Sequence, residues 1–245
     1  MIATIILAAG KGTRMDSNIP KVLHKLNGTS LIEHVINISN KLNCSKIIAV
    51  IGHQKEVVRH SLENHKNLEF AEQNEQKGTA HAVKMCFKNL KEFSGDVLIL
   101  SGDVPLISLE TLKKLIDSKI KFGAKAAVLT AEIDNPHGYG RIIRDSKNEL
   151  NKITEHKDCS ENELKVNEIN AGIYIIENKF LFKYIPKIGN NNTQSEYYLP
   201  DLINLMVKDG YFTSIYKTKN ITEISGVNSK EQLHNLEEYL NEQKI

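Results

Sequence analysis

The sequence lacks any strong excess of one charge: 32 Lys and Arg stand against 30 Asp and Glu over 245 residues. That balance removes the global field with which nucleic-acid and anionic-membrane binders attract their partners, and leaves only local concentrations of charge. Cysteine is scarce. Cys44, Cys86 and Cys159 lie far apart and form no metal-spaced pair. An odd, scattered set argues against a disulfide framework and for a reducing compartment, so a cytoplasmic protein is expected. Long apolar runs are missing too. The first, at residues 2–9, is too short to span a bilayer and lacks a preceding basic region, so it reads as a first strand. There is no internal repeat, no long linker, and no evident Ser/His or Cys/His nucleophile set.

What is present is the composition of a globular domain with a substantial core, 40% hydrophobic and 25% charged. Apolar, β-branched runs occur at residues 2–7, 46–51, 68–71 and 97–100. Between them, Leu31, His34, Val35, Ile38 and Leu42 recur at helical spacing, as do Ala82, Val83, Cys86, Phe87 and Leu90. Leu109, Leu112, Leu115 and Ile116 mark a further helix, with Ser108 as its N-cap. Such alternation predicts an α/β fold with a mostly parallel sheet flanked by helices. The second half is looser. Residues 124–133, 140–144, 150–155 and 171–176 predict strands, and 156–168 an exposed connection. A polar turn at 189–192 precedes a predicted helix over 197–207, and a charged amphipathic helix over 231–243 closes the chain.

The chemistry concentrates after the first strand, in Leu7-Ala8-Ala9-Gly10-Lys11-Gly12-Thr13-Arg14-Met15. This is neither G-x-x-x-x-G-K-[ST] nor G-x-G-x-x-G, whose third glycine position is Met15. Gly10 and Gly12 let the backbone approach an anion and turn its N–H groups toward it. Lys11, Arg14 and, in Pro20-Lys21-Val22-Leu23, Lys21 add cations suited to a polyphosphate. A tight strand–helix turn with solvated cations accounts for the same residues. Gly78-Thr79 reads as a helix start capped by Thr79, and a helix N-terminus is also where a nucleotide sits well. Asp103, in Ser-Gly-Asp-Val-Pro at the end of the fourth apolar run, is placed either to hold Mg²⁺ or simply to form the turn.

L-A-A-G-x-G-T-R-M followed by P-K-x-L resembles the signature of the sugar-1-phosphate nucleotidylyltransferase family, whose members join a nucleoside triphosphate to a sugar phosphate and release pyrophosphate. The resemblance continues in order through Q-K-G-T-A-H-A at 76–82, G-D-V-P-L at 102–106, G-Y-G-R-I at 138–142 and E-H-K-D at 155–158. N-A-G-I at 170–173, N-N-N at 190–192, E-Y-Y at 196–198 and G-V-N at 226–228 follow. E-H-K-D and N-N-N…E-Y-Y are the most discriminating, and resemble the uridylyltransferases that make UDP-N-acetylglucosamine.

The resemblance implies a Rossmann-like, mostly parallel sheet flanked by helices with a β-rich lobe on the sugar side. It places this domain at residues 1–228, followed by a C-terminal helix at 229–245. It implies that Leu7, Ala8, Ala9, Gly10, Lys11 and Gly12 hold the triphosphate, and that Gln73, Gln76, Gly78 and Thr79 read uracil, with Gly78 leaving room for the ring. Arg14 and Lys21 would act at the phosphoryl centre, Asp103 and Asn228 would bind Mg²⁺, and Gly140, Glu155, Asn170 and Glu196 would line the acetamido-sugar site. The implied substrates are UTP and N-acetylglucosamine 1-phosphate, with no nucleic-acid or membrane partner. Two departures qualify this: Pro200 stands where some relatives carry threonine, and no hexapeptide repeat of a left-handed β-helix is present. Uridylyl transfer without acetyl transfer is therefore expected, in a monomer or weak oligomer. A relative using another base or sugar, and a silent nucleotide-sugar-binding module, remain the alternatives.

Overall fold

In the computed structural model, strand β1 (Ile2–Ala8) has parallel neighbours on both sides, so its apolar run is buried almost throughout. The structure describes residues 1–242; Gln243, the last residue of the predicted closing helix, lies outside the described residues. The remaining strands are β2 (Lys25–Leu26), β3 (Thr29–Ser30), β4 (Lys46–Ile51), β5 (Leu68–Glu72), β6 (Asp96–Ser101) and β7 (Ala126–Glu132). They continue with β8 (Arg141–Arg144), β9 (Leu150–Thr154), β10 (Glu168–Glu177) and β11 (Thr213–Thr218). The helices are α1 (Leu31–Lys41), α2 (Lys55–Ser61), α3 (Thr79–Met85), α4 (Phe87–Leu90) and α5 (Leu109–Lys121). After them come α6 (Glu161–Leu164), α7 (Asn178–Tyr184), α8 (Pro200–Lys208) and α9 (Lys230–Glu242).

The main sheet runs β11-β7-β10-β6-β1-β4-β5, with β8 and β9 added beside β10. Strands β5, β4, β1 and β6 are parallel, whereas β10 is antiparallel to both β6 and β7. The chain leaves β1 toward β4 and β5 on one side and later returns to β6 on the other. Their carboxyl ends therefore flank a crevice at a switch in strand order, where open α/β sheets bind ligands. Alternate residues feed opposite layers of core: Ile5, Val50 and Ile99 face α3 and α8 residues, while Ile6, Ile51 and Leu98 face α1 and α5 residues. Among the described residues no helix is long and apolar enough to cross a membrane.

The first half follows the predicted pattern closely, including the Ser108 cap, whose hydroxyl accepts from Thr111 N at 3.0 Å. The helical run at 82–90 divides at Cys86 into α3 and α4. The segment 156–168 is not simply a connection: α6 forms within it on a Ser160–Glu163 capping box. Its last residue, Glu168, is buried in β10, held by Arg144 at 2.7 Å and Thr130 at 2.8 Å. Helix α8 starts later than predicted, with Pro200 in the first turn where no N–H is needed. Helices α2 and α7, strand β11 and the short β2–β3 pair lay outside the predicted pattern.

Helix α9 buries Leu236 with Met15, Leu26, Leu31 and Val227 in a separate small core, flanked by Leu233 and Leu240. This core joins the end of the chain to the loop after β1. Leu236→Ala is expected to lower stability by about 2–3 kcal/mol in urea unfolding, toward the lower end for a buried leucine. A loss under about 0.5 kcal/mol would mean that α9 lies outside the cooperative unit.

Candidate active site

Beyond β1 the backbone turns through Gly12 at φ +60°, and a Cβ there would lie 2.5 Å from the Cβ of Lys21. Glycine therefore lets Lys21 lie against the loop. Its ammonium pairs with Asp103 Oδ2 and donates to Asn228 Oδ1 at 3.1 Å. Arg14 Nη2 donates to the same Asn228 oxygen at 3.0 Å. The Asn228 amide is oriented by its own Nδ2, which donates to Gly226 O at 3.3 Å, so its oxygen faces the cations. Val227 N donates to Asp103 O at 2.8 Å and fastens this late segment to the end of β6. Arg14, Lys21, Asp103 and Asn228, distant in sequence, thus meet. Two oxygen donors converge on one cationic point. Among the described residues no group of three or more His, Cys, Asp or Glu gathers as an all-protein metal centre.

Beside this cluster opens a cleft of about 250 Å³. Leu7, Ala8, Ala9, Gly10, Lys21, Gln73, Gln76, Gly78, Thr79, Asp103 and Glu196 all line it. Of the predicted nucleotide residues only Lys11 and Gly12 do not; Lys11 is exposed and Gly12 stands behind Lys21. Gln73 is 3% exposed. Its Nε2 donates to Gly78 O and to His81 Nδ1, both at 3.0 Å, and Gln76 Nε2 donates to Gln73 O at 3.0 Å.

Gly78 sits at φ +107°, and a Cβ there would lie 2.5 Å from Tyr197 O. This close backbone approach by itself requires glycine at position 78. Tyr197 N donates to Lys77 O at 2.8 Å and Ala80 N to Tyr197 O at 2.9 Å. Thr79 does not cap α3. Gly78 occupies the cap position, and the Thr79 hydroxyl instead accepts Leu199 N at 2.9 Å.

The predicted sugar residues Gly140, Glu155 and Asn170 form their own cluster. Asn170 N donates to Gly140 O at 2.9 Å, and a Cβ on Gly140 would lie 3.6 Å from Glu155 Oε1. Asn170 sits at a bulge of β10, with Oδ1 accepting Gly172 N at 3.1 Å and Nδ2 donating to Tyr174 Oη at 2.6 Å. Burial, reinforced by Asp201, Asp158 and Glu196, pushes the Glu155 carboxyl up to about 6. Glu196, which lines the cleft and acts electrostatically on Glu155, joins the two groups. Asp158, given no role from sequence, anchors the asparagine-rich loop: its Oδ1 accepts Thr193 N at 2.9 Å and Thr193 Oγ1 at 2.7 Å. The Tyr198 hydroxyl is buried without a hydrogen bond among the described residues. His81 touches Gln73 and is the other residue that sequence reasoning missed.

Sequence and fold connect the chain to known proteins. Residues 4–162 match the family model of the MobA-like NTP transferase domain, which takes in the first loop, Lys21, Gln73, Gln76, Gly78 and Asp103. Proteins named bifunctional protein GlmU from Bacillus mycoides (strain KBAB4) and Bacillus cereus (strain AH187) are each 45% identical over 233 residues. These matches cover 95% of this chain and 50% of each relative, so the chain spans about half their length. A solved UDP-glucose pyrophosphorylase complexed with UDP-glucose superposes with a TM-score of 0.80 at 18% identity, covering 99% of this chain and 100% of that one. A putative glucose-1-phosphate thymidylyltransferase from Bacillus anthracis gives 0.75, also at 18% identity, with 98% and 95% covered. These two establish the fold, that of nucleotide-sugar pyrophosphorylases. With a family model spanning most of the sheet and the first loop, the chain belongs to the MobA-like NTP transferase domain family.

Proposed function

We propose that this chain transfers a uridylyl group from UTP to N-acetylglucosamine 1-phosphate, giving UDP-N-acetylglucosamine and pyrophosphate. The observation that carries this reading is the meeting of Arg14, Lys21, Asp103 and Asn228 beside one cleft, with Glu155, Asn170 and Gly140 clustered together and Glu155 under the influence of Glu196 in the cleft lining. An oxyanion of the sugar phosphate attacks the α-phosphorus of UTP in line. The new P–O bond forms as the bond to pyrophosphate breaks, and the leaving group carries away the negative charge. No protein nucleophile is required. The chain brings two anions together, aligns them, and offsets their charge.

Gly10 and the backbone from Leu7 to Gly12 would cradle the triphosphate. Lys21 and Arg14 would turn to the phosphates, with Lys21 near the α-phosphorus. Asp103 and Asn228 suit a divalent cation, because one carboxylate and one amide oxygen are hard donors and already converge on a single positive charge. Mg²⁺, when bound there, would supply charge neutralisation for the phosphates of both substrates. Gln73, Gln76, Gly78 and Thr79 would hold uracil, and Glu155, Asn170 and Glu196 the hydroxyl and acetamido groups of the sugar. We place the transferase unit at residues 1–228, closed by α9.

A pyrophosphate-release assay over four nucleoside triphosphates and several sugar phosphates in Mg²⁺ tests the reading. UTP with N-acetylglucosamine 1-phosphate is expected to exceed UTP with glucose 1-phosphate by about tenfold or more in kcat/KM, since glucose leaves polar partners of the acetamido group unpaired. Equal use of both sugars would reduce the reading to nucleotidylyl transfer of broader specificity.

Lys21→Ala is expected to lose about 100- to 1000-fold in turnover, the scale of a lost charge stabiliser at a reacting centre. If Lys21 acts in the transition state the loss falls on kcat; a loss confined to KM would limit it to ground-state binding.

Glu155 gives a pH-dependent expectation. Its folded-state carboxyl lies near 6, above the ordinary 4.5. The fold is thus relatively most stable below about pH 4.5 as far as this group is concerned, and loses that stability as pH rises through 6. Glu155→Gln should melt higher than the wild type at pH 8, by up to about 2 kcal/mol, and show no gain near pH 4. The same variant should raise KM for the sugar phosphate. Identical stability differences at both pH values would remove the buried-charge account.

A further inference from the structure

The hydrogen bonds of Gln73 decide what its amide can offer a ligand. Gly78 O, a carbonyl oxygen, can only accept, so the atom 3.0 Å from it must be the amide nitrogen. The second hydrogen of that nitrogen points to His81 Nδ1, also at 3.0 Å. Nδ1 therefore accepts, and His81 is the neutral tautomer with its proton on Nε2. Both donors of the Gln73 amide are consumed inside the protein. Gln73 is nearly buried yet lines the cleft, and Oε1 is the atom of its amide left for a ligand.

We propose that His81 is a positioning residue that holds Gln73 with Oε1 toward the cleft, and so selects a base carrying a ring N–H over one that presents an acceptor there. Uracil and thymine bring a donor at N3. Cytosine brings a lone pair at N3, which would face the Gln73 oxygen and leave two acceptors opposed. The inference rests on the uridylyl reading and adds to it the device that rejects cytidine nucleotides. His81 works through Gln73 and need not touch the base itself.

The surroundings keep His81 in the accepting form. Burial lowers its pKa below the ordinary imidazole value, and Lys77 and Lys84 lower it further, against the opposing influence of Glu75. Tyr197 faces the ring across 6.4 Å between centroids, and the 185–188 turn presents Ile185, Pro186 and Ile188, without charge, to the same hollow. Below its pKa, Nδ1 would acquire a proton and face the Gln73 nitrogen donor to donor. Gly78 O and His81⁺ would then demand opposite orientations of one amide. Loss of the imidazole would instead leave one buried amide hydrogen without an acceptor and Gly78 O as the only anchor of the amide, so that the direction of Oε1 is held by one bond rather than two.

The test is the ratio of kcat/KM for UTP to that for CTP, from pH 5 to 8, in the wild type, His81→Leu and His81→Asn. UMP and CMP binding by calorimetry would accompany it, with thermal melts to establish folding. The wild-type ratio should fall as pH drops below the ordinary imidazole range. His81→Leu should lower the ratio at pH 8 at least tenfold and flatten its pH profile. His81→Asn, whose amide oxygen can stand in for Nδ1 without titrating, should keep the high ratio and lose the acid fall. A wild-type ratio retained by a folded His81→Leu that still uses UTP would overturn this inference alone. So would an acid fall that persists in His81→Asn, which decides the matter should His81→Leu not fold. A wild type that prefers CTP, or uses neither pyrimidine nucleotide, would overturn the uridylyl reading as well.

Discussion

The attraction of Lys21 and Arg14 to Asp103 and Asn228 is the constraint around which this molecule is arranged. A carboxylate at the end of β6 and an amide oxygen near the start of α9 hold the cations of the loop after β1 at one point. The ends of the chain must be brought together for this, and the packing does it. Leu236 of α9 meets Met15 and Val227 in the small core, next to the residues that carry the charges. The backbone bond from Val227 to Asp103 then sets the depth at which Asn228 enters. Each contact alone is a modest, partly solvated interaction. Their value lies in geometry: apolar packing fixes backbones so that a few polar atoms converge without searching.

A second set of bonds joins the two halves of the cleft. The start of α3 is tied to residues 197–199 through Tyr197, Leu199 and the Thr79 hydroxyl. Glu196 precedes that tie directly, lines the cleft and acts electrostatically on Glu155. The turn that presents Gln73 and Gln76 is thereby coupled to the segment carrying Glu196. The same stitching explains Gly78, where any side chain would collide with the Tyr197 backbone. Positions that read from sequence as helix chemistry are here devices of assembly.

What sequence made legible follows from the range over which each signal acts. Buried parallel strands such as β1, β4 and β6 must be continuous apolar runs, so they stand out without knowledge of their partners. Asp103 is legible because it follows such a run and a glycine. Asn228 is not, since an asparagine in Gly-Val-Asn acquires meaning only from Lys21 and Arg14, some two hundred positions earlier. It entered through resemblance rather than chemistry. The full length of β10 was hidden for a related reason. Glu168 and Asn170 look like loop residues until Arg144, Thr130 and Tyr174 satisfy them inside the fold. His81 and Asp158 were missed on the same ground, because their partners Gln73 and Thr193 belong to other segments.

The two ends of the site also differ in sign, and that difference gives the proposed substrates a direction. At one end the ammonium of Lys21 and the guanidinium of Arg14 outnumber the single carboxylate of Asp103. At the other, burial together with the nearby Asp201, Asp158 and Glu196 holds the Glu155 carboxyl near 6. A triphosphate placed at the acidic end would meet like charge in a partly desolvated setting, where repulsion is poorly screened. A sugar ring has no such conflict there, because its hydroxyls donate to carboxylates. Its phosphate, however, is drawn toward Lys21. The polarity of the cleft thus favours the one arrangement in which both phosphates meet at the cations and the sugar points away. That arrangement is also the alignment an in-line attack requires, so orientation and charge neutralisation come from the same few residues.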